Sequence, residues 1–309
     1  MKTDLAPDQI SFYRENGYLI FRNLLGASEL AEIKEAVMQA VSSLGNRKVA
    51  GRDDWLEQND YYDRVFVQRI NLWKLSPVVK KTMIHRQLGR MLCSLAGVGG
   101  IRLWHDQALM KAPWANPTSL HVDAPYWSFS SRHAISIWIA LDKATLQNGC
   151  MVFLPGSHKV CDFTSGPIGP EVADIFKTYP GLKHSPAVPV ELEPGDCSFH
   201  NGLLVHGAGA NLTPGWRRAL TAGYMPEGST FNGQRNILSV DQVDRIKIGD
   251  LLEEEEQNPL LYSAPRVPER AAGLPRNGRR ATSVSARKNS ARSKTRRTVS
   301  AVQAARAMK

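Results

Sequence analysis

Cysteine is scarce in this chain. Cys93, Cys150, Cys161 and Cys197 are the four in 309 residues, with no CxxC pair and no regular spacing. That pattern excludes a zinc ribbon and a secreted disulfide framework, and it suits a reducing compartment. Long apolar runs are missing too. Nothing approaches the roughly 18 residues of a membrane span, and the opening MKTDLAPDQ is broken by charge at once, so the expectation is a soluble, cytoplasmic protein without an export signal. Acidic residues are nearly absent from one segment only: residues 264–309 hold 13 Lys and Arg against a single Glu, while the remainder holds 26 basic and 28 acidic residues. The formal charge of +10 therefore belongs to the tail, and the body is nearly neutral.

What the chain does contain is enough apolar sequence, 42%, for one large core. Residues 1–263 read as one globular domain and 264–309 as a basic, disordered tail whose few large apolar side chains cannot offset the entropy of ordering. The tail has no aromatics to stack on bases, so the expected partners are small molecules, with no stable nucleic-acid or membrane partner and at most weak attraction to an anionic one. RRATS and RRTVS within it have the form of basic-directed phosphorylation sites. The acidic run Glu253 to Glu256 reads as a solvated stretch.

Along the body, Asp8 is placed to cap a short helix that ends at Asn16-Gly17, and YLIFRNLL reads as a buried strand. Ser28 is placed to cap a second helix, whose apolar residues Leu30, Ile33, Val37, Val41 and Leu44 recur at three and four. A third helical stretch runs over roughly 76–96 to Gly97. From residue 98 the pattern changes to short apolar runs punctuated by Gly, Pro and Asn. In HAISIWIALD, Ile135, Ile137, Ile139 and Leu141 alternate with Ser136, Trp138 and Ala140, the period of a strand with two different faces. The fold class is mainly β with flanking helices: a double-sheet jelly roll, cupin-like, with its site at an open end.

PTSLHVDAPYW sets His121 two residues before Asp123 in a loop rich in proline and aromatics. Alone, this pair fits a hydrogen-bonded turn as well as two metal ligands. FHNGLLVHGAG, about 80 residues later, brings His200 and His206. Two imidazoles and one carboxylate leave three positions of an octahedral ion open, which suits Fe(II) activating O2; zinc favours closed sets of four or three histidines. Even spacing puts 200 and 206 on one face of a single strand, where both could not reach one ion without crowding. Arg217 opens the next apolar run, RRALTAGYMP, where a guanidinium could grip a carboxylate in a bidentate fork.

ENGYLIF, His121-Val122-Asp123, ISIWIALD, NGCMVFLPGSHK and LLVHGAGANLTPGWRRA together resemble the phytanoyl-CoA dioxygenase family of Fe(II)/2-oxoglutarate-dependent oxygenases, over about residues 8 to 226. The resemblance implies that His121, Asp123 and His206 hold iron and that Arg217 binds the distal carboxylate of 2-oxoglutarate. It also places Trp138, Gln107 and Gln68 around that cosubstrate. The implied reaction converts 2-oxoglutarate and O2 to succinate and CO2 and hydroxylates a small organic molecule or an acyl-CoA, with ascorbate as a reductant. A carboxylate at 123 fills the place that related halogenases leave open for halide. In one respect the chain departs from the family: Ala208 stands where many members carry a hydroxyl residue.

Bland readings stand beside these. His200 is read as a core histidine or one standing behind the ligands, His158 as a turn residue and Lys111 as structural, while Trp104, His105, Trp127 and Phe129 are either pocket wall or packing. A rival to the enzyme is a catalytically silent iron- or ligand-binding module tethered through its basic tail.

Overall fold

The computed structural model describes residues 1–52, 65–164, 166 and 168–265. The expectations for the tail, 264–309, lie almost wholly outside the described residues.

Helix α1 spans Pro7–Asn16 and stops at Gly17, whose φ of 80° is the left-handed turn that glycine adopts without a Cβ penalty. Its start is one turn's edge earlier than Asp8 suggested: Ala6 is the cap, and the Ala6 amide donates to the Gln9 side chain at 2.9 Å. Strand β1 (Tyr18–Phe21) is shorter than YLIFRNLL because Asn23 turns the backbone at φ 58°. Helix α2 (Ala27–Leu44) begins after Gly26 rather than at Ser28, since Glu29 reaches back to accept from the Gly26 amide. Its buried face is Ile33, Val37, Val41 and Leu44, as the spacing required, with Ala36 and Ala40 beside them, while Leu30 is only partly buried. The stretch 76–96 is two helices, α3 (Pro77–Met83) and α4 (Arg86–Ala96), broken at Ile84-His85 and closed by Gly97 at φ 71°.

The remaining strands are β2 (Val67–Ile70), β3 (Gly100–Lys111), β4 (Thr118–His121), β5 (Ile135–Ala140), β6 (Met151–Phe153), β7 (Val188–Val190), β8 (Cys197–Asn201), β9 (His206–Ala208), β10 (Arg217–Pro226) and β11 (Leu260–Ser263). They pair antiparallel in two sheets, one of seven strands ordered β1-β8-β5-β10-β3-β11 with β2 also on β3, the other of four ordered β4-β9-β6-β7. This is the jelly-roll arrangement. The segment 197–208 is therefore not one strand. A turn in which the Leu204 amide donates to Asn201 carries the chain from the large sheet to the small one.

Both faces of β5 are buried, and they differ in what covers them. Ile135, Ile137 and Ile139 pack with Phe199 and Leu220 against Ile33, Val37, Leu88 and Leu92 of the helices. Each such side chain contributes roughly 1.5–3 kcal/mol on burial. Trp138 and Ala140 face the space between the sheets with Met151, Phe153 and Ala208. Four free cysteines are buried. Glu253 to Glu256 are exposed as expected, though Glu255 also accepts from the buried Arg102 at 2.8 Å. No helix among the described residues is long and apolar enough to cross a membrane.

Gly207, the middle residue of β9, lies against β4, where a Cβ would come within 2.7 Å of the Thr118 carbonyl oxygen. Gly207→Ala is expected to push these strands apart, cost roughly 1–3 kcal/mol and lower the melting temperature, because two backbones must move. Thermal unfolding at the wild-type midpoint would count against this close approach.

Candidate metal centre and cosubstrate pocket

His121 and His206 meet because β4 and β9 pair in register at these two residues. Each ring is set by a carbonyl two residues back: His121 Nδ1 donates to Ser119 O at 2.8 Å and His206 Nδ1 to Leu204 O at 2.9 Å. A carbonyl only accepts, so both hydrogens sit on Nδ1 and both Nε2 lone pairs point inward. Asp123 is placed by its backbone, its amide and that of Ala124 donating to Gly202 O at 3.0 and 2.8 Å. Its Oδ1 then stands 3.5 Å from His121 Nε2 and 3.6 Å from His206 Nε2. One donor atom from each of the three residues lies within 4.8 Å of the other two. Donors at right angles on an ion bound at about 2.1 Å stand about 3 Å apart, so a small closure suffices.

The second carboxylate oxygen has different partners. Ser136 Oγ donates to Asp123 Oδ2 at 3.3 Å and His200 Nε2 lies 3.5 Å from it. His200 comes from β8 in the large sheet and His206 from β9 in the small one, so the crowding expected of a single strand does not arise. His200 belongs to the environment of Asp123, where it turns Oδ1 toward His121 and His206. His200→Ala is expected to weaken Co(II) binding by roughly 10–100-fold without unfolding the chain, the usual effect of removing a group that orients a ligand. Unchanged affinity on calorimetric titration would refute that role.

Burial pushes the Asp123 carboxyl up, but the surrounding imidazoles, His206 first and then His121 and His200, outweigh it and hold it well below the usual carboxylate range. Burial, and then the neighbouring His121, push His206 down to about 3. Near neutral pH the carboxylate is charged and the imidazole neutral, the forms that ligate a divalent ion.

All three residues open on a cavity of about 380 Å³, which Gln68, Gln107, Trp138 and Arg217 also line. Arg217 is 2% exposed, with its guanidinium carbon 5.2 Å from the Trp138 ring centroid. Its Nε and Nη1 have no hydrogen-bond partner among the described residues. Burial lowers its pKa to about 10, which still leaves it charged. A buried cation without a carboxylate is costly, so this position fits an anion brought by a ligand. Gln68 Nε2 donates to Gln107 Oε1 at 2.5 Å, which ties the two amides together.

Lys111, paired with Arg217 across β3 and β10, is fully buried and donates to Asn116 O at 2.6 Å, a structural tie. Burial, and then the Arg217 charge, bring its pKa down to about 7. Ala208 leaves no hydroxyl at its position, but Thr118, its partner in register, and Thr221 bring hydroxyls to the same cavity. Thr221 was legible at four residues after Arg217 on one strand face; nothing local marked Thr118. His105 and Trp127 line the cavity, whereas Trp104 and Phe129 pack behind it with ring centroids 5.5 Å apart. His158 is a turn residue, its Nε2 donating to Arg14 O at 3.2 Å.

A jelly roll whose cavity gathers two imidazoles, a carboxylate and a buried guanidinium defines the class of the 2-oxoglutarate-dependent oxygenases. The sequence profile described as phytanoyl-CoA dioxygenase (PhyH) matches residues 13–219. A probable phytanoyl-CoA dioxygenase of Caenorhabditis elegans is 27% identical over 241 residues, covering 71% of this chain and 75% of its own. Among solved structures, the non-heme alpha ketoglutarate dependent carbocyclase SnoK from nogalamycin biosynthesis aligns with TM-score 0.68 at 26% identity, over 83% of this chain and 96% of its own. The epimerase SnoN, in complex with Fe3+, alpha ketoglutarate and nogalamycin RO, aligns with TM-score 0.65 at 26% identity, over 82% and 98%. The chain belongs to the phytanoyl-CoA dioxygenase family.

Proposed function

We propose that this protein is an Fe(II)- and 2-oxoglutarate-dependent dioxygenase that hydroxylates a small organic molecule or an acyl-CoA, with His121, Asp123 and His206 as the iron ligands. The carrying observation is the buried Arg217 guanidinium, without a carboxylate partner among the described residues, in the same cavity as the His-Asp-His cluster. The donor set fits iron: two neutral imidazoles and one carboxylate leave three positions for a bidentate keto acid and O2. When bound, iron would activate O2, the oxidant, with 2-oxoglutarate supplying two of the electrons as it is decarboxylated to succinate and CO2 and the substrate supplying the other two.

The chain's own residues hold and orient. Arg217 grips the distal carboxylate of 2-oxoglutarate through its fork, and the Trp138 ring beneath it limits where the guanidinium can turn. Gln68 and Gln107 form one hydrogen-bonded wall of the same pocket, and Thr118 and Thr221 supply the hydroxyls that Ala208 lacks. Ser136 and His200 keep Asp123 bound through one oxygen. Asp123 itself fills the ligand position that halogenation would need open. Four buried thiols support residence in a reducing compartment, the cytoplasm.

Incubation with Fe(II), ascorbate, O2 and 2-oxoglutarate, with a panel of small molecules and acyl-CoAs, tests the reading through succinate release. A silent binding module tethered by residues 264–309 releases none and sinks it.

A further inference from the structure

The register of the large sheet divides the cavity into two ends. Arg217 pairs with Lys111, Thr221 with Gln107 and Gly223 with His105. Six residues of strand separate Arg217 from Gly223, about 20 Å at the usual rise. On the other side of β10, Gly223 pairs with Ser136, and Ser136 with His200. His105 therefore shares a row with the two residues that hold Asp123, at the end of the cavity away from Arg217. The bare Gly223 makes room there: a Cβ would meet Trp127 Cζ2 at 3.2 Å and His105 Cε1 at 3.6 Å.

His105 is 7% exposed, lines the cavity, and its Nδ1 has no hydrogen-bond partner among the described residues. Asn236 lines the same cavity with a buried, unpartnered Oδ1, on a backbone held at φ 41°. Two buried polar atoms left without partners on the wall of one cavity point to a ligand that supplies them. Ile70, Trp127, Ile168 and Ile237 supply apolar wall.

We infer that this end is the substrate site, and that His105 and Asn236 bind a hydroxyl or carbonyl on an otherwise apolar, uncharged molecule. The polar group is anchored beside Trp127, which leaves the neighbouring carbon to face His121, Asp123 and His206. The assignment of a reacting end rests on the dioxygenase reading; the binding preference does not.

The test is calorimetric titration of the full chain, with and without Co(II), using 1-naphthol, 1-methylnaphthalene and 1-naphthoate. Wild type is expected to prefer 1-naphthol to 1-methylnaphthalene by roughly tenfold, as a site built around hydrogen bonds rejects an analogue lacking them. His105→Phe and Asn236→Ala are expected to erase that preference while retaining 1-methylnaphthalene binding, and His105→Gln to restore part of it. Equal affinity for the two, no binding of either, a preference for 1-naphthoate, or variants that keep the wild-type preference each overturn the proposal. Wild type that fails to bind Co(II) overturns the metal centre alone, and the titrations without metal then decide this inference.

Discussion

Asp123→Ala abolishes substrate-free turnover of 2-oxoglutarate and lowers Co(II) or Fe(II) affinity by more than the roughly 10–100-fold expected for residues that only orient a ligand. The reason is specific to this carboxylate. Among the described residues it is the one anion whose oxygen stands within 3.6 Å of both His121 Nε2 and His206 Nε2. Without it, two neutral imidazoles remain, and a divalent ion loses both a donor and the charge that offsets its own. The fold is expected to persist, because the backbone amide at 123, not the side chain, binds Gly202 O. Calorimetric metal titration and succinate release measure the effect, with circular dichroism as the check on folding. A variant that keeps full activity refutes the ligand assignment and the dioxygenase reading with it.

Arg217→Met produces the second large effect, and it has opposite signs in the empty and loaded protein. In the empty protein Arg217 is a buried cation with unpartnered Nε and Nη1, so an apolar replacement of similar length raises the melting temperature or leaves it unchanged. In the loaded protein the guanidinium meets a carboxylate, and losing it costs roughly 2–5 kcal/mol of 2-oxoglutarate affinity. The stabilisation that wild type gains from saturating cosubstrate, about 2.7 kcal/mol at one hundred times its dissociation constant, disappears in the variant. Arg217→Lys recovers only part, since an ammonium cannot reproduce the planar fork. Differential scanning fluorimetry with and without 2-oxoglutarate reads both signs. Equal cosubstrate stabilisation of wild type and Arg217→Met would remove Arg217 from the pocket.

How much of this could be read beforehand varied with the range of the interactions involved. The alternation of Ile135, Ile137 and Ile139 with Ser136, Trp138 and Ala140 is a property of a strand's own geometry, and the structure buries the two sets on opposite faces. The face of α2 and the stops at Gly17 and Gly97 were legible for the same reason. Helix starts were less so: Gln9 and Glu29 reach back to bare backbone amides and shift each start by a residue or two from the capping side chains in the sequence. The strand β4 was missed because Pro117 and Ser119 give it no apolar period, and its pairing with β9 supplies what its own composition lacks.

Within the site, the residue types were evident from the sequence and their mutual placement was not. His200 and His206 look alike in FHNGLLVHGAG; the turn after Asn201 sends them to different sheets and gives one the carboxylate's outer oxygen and the other the inner. Gln68 and Gln107 become partners only because β2 lies beside β3. The two amide side chains are 39 positions apart in the chain.

By itself the sequence determined which chemistry was available: local periodicity for the strands, a near-neutral body with a basic tail, and the imidazoles, carboxylate and guanidinium in a given order. Tertiary structure alone decided which atoms converge. Convergence depends on strand register and sheet switching, interactions between residues up to 182 positions apart, and the energy that selects among them is distributed through the core rather than written at any one position.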